Sequence, residues 1–284
     1  MKLAGRNAII TGASQGLGKA IAAQFLRDGA SIVICARDAA LLTTTRDELA
    51  QLGGCVLAHA CDVSDEAQVN ALVEFARREL GSVDTLVSNA GVYGPMGPTE
   101  DVDLREWMRT VEINLYGTLL PCRALIPHFK RAGRGKIVIL SGGGATSPLP
   151  RISAYAASKA AVVRFMETLA EELREFHIDV NAVAPGAMKT RLLDQVLTAG
   201  PNVVGHAYFE RNRKWAEDGA TPVEFGANLC SYLVSSDGDG ITGKLISAQW
   251  DAWATLHEHR AELASSDIYC LRRIIPEDRG HKWS

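Results

Sequence analysis

The sequence lacks long apolar runs, basic tracts and paired cysteine motifs, and each absence excludes a class of protein. No uninterrupted apolar stretch approaches the ~18–20 residues of a membrane-spanning helix, so we expect no membrane partner. Because 30 Lys and Arg face 33 Asp and Glu without any Lys/Arg-rich run, we expect no nucleic-acid partner. The first strand-like run begins at Asn7, so we expect no signal peptide.

Cysteines and histidines are too scattered to predict a disulfide framework or a metal site. The six cysteines show no CxxC or zinc spacing, and three of them adjoin apolar strand-like runs, as expected for reduced, buried thiols. His257 and His259 lie close in sequence, but no cysteine or second cluster accompanies them, so no metal is expected. With 47% apolar and 22% charged residues, the composition is that of a soluble globular protein, and we predict a cytoplasmic location.

What the sequence does contain is an alternation of strand-like apolar runs and amphipathic helical segments. Several runs are continuously apolar, which is typical of strands covered by helices on both faces. The alternation predicts right-handed βαβ units and a doubly wound, Rossmann-type parallel sheet. The chain is interpreted as one domain over residues 1–249, with a substrate segment at about 186–222 and a tail at 250–284 that packs on the body or on a neighbouring subunit. The runs cover residues 7–11, 31–35, 55–60, 83–88, 136–140, 178–183 and 245–247.

A glycine-rich turn, TGASQGLG at positions 11–18, follows the first strand and opens a helix. Glycines let the backbone turn tightly and approach a phosphate, while the helix N-terminus offers unpaired N–H groups to an anion. The spacing of Gly12, Gly16 and Gly18 is G-x-x-x-G-x-G rather than the commoner G-x-G-x-x-G, and a plain helix-entry loop is the alternative. The strand–turn–helix context favours a nucleotide site.

The end of the second strand bears on the choice of cofactor. A carboxylate there would bind the ribose 2′-hydroxyl of NAD, whereas an Arg accommodates the 2′-phosphate of NADP. Ala36 stands at the strand end and Arg37 follows it, which favours NADP because the guanidinium is a forked cation. A solvated Arg37 is the alternative, and Asp38 is close enough to leave NAD possible.

Two further polar segments follow the third and fourth strands. Asp62 and Val63 end the third strand, and Asn89, Ala90 and Gly91 end the fourth. The carboxyl ends of strands in an open parallel sheet form its ligand crevice. Taken singly, Asp62 is explained as a helix start and 89–91 as a turn. In sequence with the glycine turn, they predict further contacts with a dinucleotide.

Tyr155 and Lys159 are four residues apart at the start of a long helical stretch, so they lie on one helical face. An ammonium group beside a phenol favours the phenolate and lowers the phenol pKa from ~10 toward the working pH. Such a Tyr can exchange a proton with a carbonyl or alcohol oxygen while hydride moves at the adjacent carbon. An isolated Y-x-x-x-K is usually a surface pair, but this one follows a nucleotide-binding half.

Together these motifs resemble the short-chain dehydrogenase/reductase family over about residues 5–248. The resemblance implies about seven parallel strands and an NAD(P)-dependent oxidoreductase, with NADP preferred, that interconverts a secondary alcohol and a carbonyl on a small molecule. It also implies a homodimer or homotetramer built on the helices around 100–130 and 155–176. The matching residues, in chain order, are Gly12, Gly16, Gly18, Asp62, Asn89, Ala90, Gly91, Asn114, Ser141, Tyr155, Lys159, Pro185 and Gly186.

The resemblance also assigns roles. Tyr155 is the expected acid/base, Lys159 lowers its pKa and binds the nicotinamide ribose, and Ser141 hydrogen-bonds the substrate oxygen. Asn114 holds a water that links Lys159 to solvent, although a locally bonded mid-helix residue is the alternative. Asn89 fixes the cofactor side of the crevice. The remaining cofactor contacts expected are Ser14, Gln15, Leu17, Arg37, Val63, Ala90, Gly91, Pro185, Gly186, Asp62 at the adenine and Thr190 at the nicotinamide carboxamide.

Two departures from the family pattern matter. The family places its serine thirteen residues before the Tyr, and that position is Gly142; choosing Ser141 requires one extra residue within 142–150. Without that insertion the hydroxyl is missing. The final strand also continues without the family's D-G-G stretch. The alternatives are therefore a dinucleotide-binding sensor or scaffold that has lost turnover, and a related epimerase or dehydratase that keeps its cofactor bound.

Overall fold

The computed structural model describes residues 1–188, 190–219 and 221–283. Within them a parallel sheet has the order β3-β2-β1-β4-β5-β6-β7 and is flanked by helices. The prediction of a doubly wound sheet of seven parallel strands is confirmed. The strands are β1 (Asn7–Thr11), β2 (Ser31–Ala36), β3 (Val56–Ala60), β4 (Thr85–Ser88), β5 (Gly135–Leu140), β6 (Ile178–Ala184) and β7 (Leu245–Ser247).

The helices connect successive strands and supply the cover for both faces of the sheet. A π-helical turn at Glu112–Tyr116 joins α4 to α5. No helix among the described residues is long and apolar enough to cross a bilayer. The helices are α1 (Gly16–Arg27), α2 (Ala39–Ala50), α3 (Glu66–Leu80), α4 (Leu104–Val111), α5 (Gly117–Ala132), α6 (Ser153–Leu173), α7 (Arg191–Ala199), α8 (Pro201–Val204), α9 (His206–Asp218), α10 (Val223–Val234) and α11 (Arg260–Ser265).

Apolar side chains of the strands pack into two cores, one on each face of the sheet. Ala8 and Ile10 of β1 join the core that contains α1, α2 and α10. Ile9, between them, points to the opposite core with α3, α5 and α6. Because successive strand residues face opposite sides, burial on both faces requires the continuous apolar runs seen in the sequence.

The strand order reverses direction at β1 and β4, and this arrangement positions the site. From β1 the chain winds outward to β2 and β3, and from β4 it winds the other way to β7. The loops after β1 and β4 therefore diverge and leave a crevice at the carboxyl ends of the strands, where ligands bind in open α/β sheets.

The tail beyond residue 250 packs on the body of the same chain. Trp253, Leu256 and Leu263 extend the core around α10. The backbone N–H of Leu245 in β7 donates to the carbonyl of Tyr269 at 2.8 Å. The buried Lys244 ammonium donates to the carbonyls of Ser266 and Ile268, each at 2.9 Å. These contacts hold the segment 266–269 along the outer edge of β7.

Candidate active site

A cavity of about 1090 Å³ opens at the carboxyl ends of the strands. Apart from Asn114, which is buried behind it, every site residue predicted from the sequence contributes to its wall. The structure thus brings the motifs together in one crevice. The predicted residues in the wall are Gly12, Ser14, Gln15, Gly16, Leu17, Gly18, Arg37, Asp62, Val63, Asn89, Ala90, Gly91, Ser141, Tyr155, Lys159, Pro185, Gly186 and Thr190.

The glycine turn between β1 and α1 forms a cradle that side chains would fill. Gly12 has a positive φ of 64°, and a Cβ there would lie 2.7 Å from the Cα of Ala90. A Cβ at Gly18 would overlap the carbonyl of Gly12 and lie 2.5 Å from Nδ2 of Asn89. Gln15, which precedes α1, makes no side-chain cap, so the first N–H groups of the helix remain free for an anion. The cradle fits the diphosphate of a dinucleotide.

We expect Gly18→Ala to weaken NADP(H) binding at least about tenfold, because the added methyl group must displace the turn from Asn89. The dissociation constant is measured by calorimetry, with circular dichroism to verify folding. Gly143→Ala is the matched control, since it lies in the same cavity wall but a Cβ there meets nothing within 4 Å. Equal affinities in the two variants would contradict the cradle.

Asn89 ties the end of β4 to the glycine turn. Its Nδ2 donates to the carbonyls of Thr11 and Gly12 at 2.9 and 3.1 Å. In return, the hydroxyl of Thr11 accepts from the backbone N–H groups of Asn89 and Ala90. Thr11 was not singled out from the sequence, although a polar residue that ends an apolar strand was a usable signal. This double link fixes the spacing between the two halves of the crevice.

The cavity wall also contains Arg37 and two carboxylates, each of which already has a hydrogen-bond or ion-pair partner. Asp38 accepts from the N–H of Leu41 at 3.0 Å and so caps α2. Asp62 binds Arg109 at 2.7 Å. Burial opposes ionisation of Asp62, but hydrogen bonds from Ser64 and the Arg109 guanidinium outweigh it and lower its pKa. Arg37 is exposed and makes no ion pair with any described residue.

Asn114 lies in the π-helical turn and joins three elements. Its Oδ1 accepts from the N–H of Val92 at 2.8 Å, and its Nδ2 donates to the carbonyl of Val92 and to the hydroxyl of Ser158. Ser158, one residue before Lys159, donates in turn to the carbonyl of Tyr155. Asn114 is therefore bonded across the fold rather than within its own helix. Its predicted water relay stays a prediction.

Tyr155 and Lys159 occupy the same wall of the cavity, but the predicted lowering of the Tyr155 pKa is not what their environment produces. The Lys159 ammonium lies 5.9 Å from the centre of the Tyr155 ring and donates to the carbonyl of Leu140 at 2.7 Å. Burial raises the pKa of Tyr155 and lowers that of Lys159 to about 8. Desolvation is the largest cause of both pKa shifts, which the four-residue spacing alone did not reveal.

Gly142, not Ser141, faces the reacting end of Tyr155. A Cβ at Gly142 would overlap the Tyr155 hydroxyl, so this phenol occupies space that a side chain at position 142 would need. The hydroxyl of Ser141 is enclosed and has no hydrogen-bond partner among the described residues. The role of Ser141 stays a prediction, and the geometry favours Gly142 as the counterpart of the family serine.

Comparisons with known proteins identify the class to which this site belongs. The family model described as short chain dehydrogenase matches residues 6–199. The chain therefore belongs to the short-chain dehydrogenase/reductase family of oxidoreductases, whose fold binds NAD(H) or NADP(H). The class is thus established by the family match and the fold together.

Relatives extend the match to both sequence and structure. The 7α-hydroxysteroid dehydrogenase of Escherichia coli K12 is 37% identical over 70% of this chain and 77% of its own length. The diacetyl reductase [(S)-acetoin forming] of Staphylococcus epidermidis is 33% identical over 85% of this chain and 96% of its own. A structure of 7α-hydroxysteroid dehydrogenase with NADH and 7-oxo glycochenodeoxycholic acid superposes with a TM-score of 0.78 and 32% identity, covering 87% of this chain and 93% of the other.

Proposed function

We propose that this protein is an NADP-preferring reductase that interconverts a carbonyl and a secondary alcohol on a small molecule. The observation that carries the proposal is the placement of Tyr155 and Lys159 in one cavity with the glycine cradle. The test is oxidation of NADPH, followed by absorbance, against a panel of ketones with wild-type protein and Tyr155→Phe. Turnover that depends on Tyr155 supports the proposal, and its absence on every carbonyl contradicts it.

In this mechanism Tyr155 exchanges the proton and Lys159 organises the site. A nicotinamide held in this cavity would supply hydride for reduction of the carbonyl carbon and accept it in the reverse reaction. Because burial raises its pKa, the Tyr155 phenol is protonated at neutral pH, which is the state that donates to a carbonyl oxygen. With a pKa of about 8, the Lys159 ammonium also remains mostly protonated and can hold the ribose hydroxyls.

Arg37 supports the NADP preference. The competing carboxylate of Asp38 is committed to the α2 cap, whereas Arg37 stands in the cavity wall without a partner among the described residues. A guanidinium there can form charge-assisted hydrogen bonds to a 2′-phosphate. The related 7α-hydroxysteroid dehydrogenase structure holds NADH, so the comparison alone does not decide between the cofactors.

We expect Arg37→Gln to lower kcat/KM with NADPH by about 10- to 100-fold, the value of one hydrogen bond to a charged group. The value with NADH should change less than threefold, since NADH has no phosphate at that position. Steady-state kinetics with both cofactors check this. Arg46→Gln, an Arg of α2 that pairs with Asp47, is the control. A parallel loss with NADH would rule out phosphate recognition.

The second candidate function is a dinucleotide-binding sensor or scaffold. Gly142 favours it specifically, because position 142, which faces the Tyr155 hydroxyl, carries no hydroxyl group to hold a substrate oxygen. Tight NADPH binding by calorimetry, without oxidation of NADPH by any carbonyl, would support the sensor over the reductase.

A homodimer or homotetramer and a cytoplasmic location remain predictions. Leu104 and Met108, which are exposed on α4, lie within the helices expected at the subunit interface.

A further inference from the structure

Aromatic side chains lie between Tyr155 and a cation, Arg211, in the wall of the cavity. The ring of Tyr93 meets that of Tyr155 edge-on, with their centres 4.6 Å apart. The Tyr208 hydroxyl lies beside that of Tyr93, and this interaction contributes to the raised pKa of Tyr93. The Arg211 guanidinium lies over the rings of Tyr208 and Trp215, 5.1 and 5.3 Å from their centres. All five residues line the cavity.

Arg211 differs from its neighbour on α9 in having no carboxylate partner. Arg213, two residues further on, pairs with Glu210 at 2.6 Å and with Glu217 at 2.7 Å. Across the part of the chain that the structure describes, no Asp or Glu lies within ion-pair distance of Arg211. Because the Arg211 guanidinium contacts the rings of Tyr208 and Trp215 and no carboxylate among the described residues, its N–H groups are available to an anion.

The charges along the cavity wall also favour an anionic ligand group on the Arg211 side. The acidic residues in the described wall are Asp38 and Asp62, both at the Arg37 end, where Asp62 is paired with Arg109. On the α7–α9 side, the ionised residues of the described wall are Arg191 and Arg211. A cationic region without acidic residues attracts a negatively charged ligand group.

Apolar side chains also form part of the cavity wall that contains Tyr155 and Arg211. In addition to the four rings described above, the wall contains Leu149, Met188, Leu192 and Trp250. Trp250 is 79% exposed, so its indole is available to cover an apolar ligand. A pocket with apolar side chains and few charged groups is typical of sites that bind an apolar body and fix its orientation through polar anchors.

We propose that the substrate is an oxo or hydroxy acid with an apolar, ring-containing body whose carboxylate binds Arg211. The carboxylate would be separated from the reacting carbon by two aromatic ring spacings, on the order of 10 Å. This inference rests on the proposed function, because it takes Tyr155 as the place where the carbonyl reacts. Arg211 is then a specificity-determining residue: its forked donors match a carboxylate and would leave a neutral ester unpaired.

The test uses a biphenyl that carries an acetyl group at one end and a carboxylate at the other. This acid is compared with its own methyl ester. Dissociation constants are measured by quenching of tryptophan fluorescence in the NADP⁺-saturated protein, and KM and kcat by NADPH oxidation. We expect the acid to bind at least tenfold more tightly than the ester, and Arg211→Gln to abolish that difference through the dissociation constant and KM rather than kcat. Arg213→Gln, the matched control, should retain it.

Equal binding of acid and ester by the wild type, including no binding of either, overturns the inference, as does a preference for the acid that persists in Arg211→Gln. The result is separable from the proposed function. Turnover of both probes that depends on Tyr155 without any preference for the acid refutes the anion site alone. A preference lost in Arg211→Gln, together with no turnover of any carbonyl in the ketone panel, supports the anion site and refutes the reductase.

Discussion

Tyr155→Phe is expected to reduce kcat for carbonyl reduction by about 10²- to 10⁴-fold, the range that a positioned proton donor contributes. The phenol is buried with a raised pKa, so it holds its proton at neutral pH and can deliver it to the substrate oxygen. Phenylalanine preserves the ring and its edge contact with Tyr93. The dissociation constant for NADPH should therefore stay within about threefold of the wild type, a change below 1 kcal/mol.

The matched control is Tyr116→Phe, because Tyr116 is a half-exposed tyrosine outside the cavity wall. Stopped-flow measurement of a single turnover separates the chemical step from product release. A Tyr155→Phe enzyme that retains wild-type single-turnover rates would show that another group supplies the proton. Loss of NADPH affinity in the same variant would instead indicate that the Tyr155 hydroxyl also contributes to binding of the cofactor.

Gly142→Ala is expected to produce the second large effect, a loss of about 100-fold in kcat. The new methyl group overlaps the Tyr155 hydroxyl, which must move away from β5. A displacement of roughly 1 Å at a reacting group is sufficient for a loss of that size. Folding should be preserved, because the displaced atom is the end of a side chain rather than backbone. Steady-state kinetics and thermal melting followed by circular dichroism check both statements.

Gly143→Ala provides the control for this substitution, since a Cβ at position 143 meets nothing within 4 Å. Gly142→Ser separates displacement from chemistry, because it adds the same Cβ together with the hydroxyl that the family carries at this position. Similar losses in the Ala and Ser variants would mean that displacement dominates. Full activity in Gly142→Ala would show that Tyr155 does not depend on the space above Gly142.

The fold was predictable because its signals are local and repeated. Continuous apolar runs revealed strands that are buried on both faces, and the observed strand bounds differ from the runs by at most two residues, as at the start of β4. The glycine turn was equally accessible, since positive φ at Gly12 and the close approach of Gly18 to Asn89 both require glycine. These features depend on neighbours within a few residues or on a strand–helix junction.

The features that the sequence did not reveal depend on contacts between distant segments. Asn114 bonds to Val92 and Ser158, which are 22 and 44 residues away. The pKa of Tyr155 follows from its burial in the assembled cavity rather than from the Lys159 spacing. Tertiary packing sets each of these properties.

The segment 266–269 also has a consequence for how copies of this chain behave toward one another. An edge strand with free N–H and C=O groups can pair with a strand of another molecule and start uncontrolled association. Here the tail of the same chain occupies that position. The Tyr269 carbonyl accepts from the N–H of Leu245 in β7, and the N–H of Leu271 donates to Oε1 of Glu167 at 2.5 Å. The tail thus acts as a built-in barrier to strand addition along this side of the molecule.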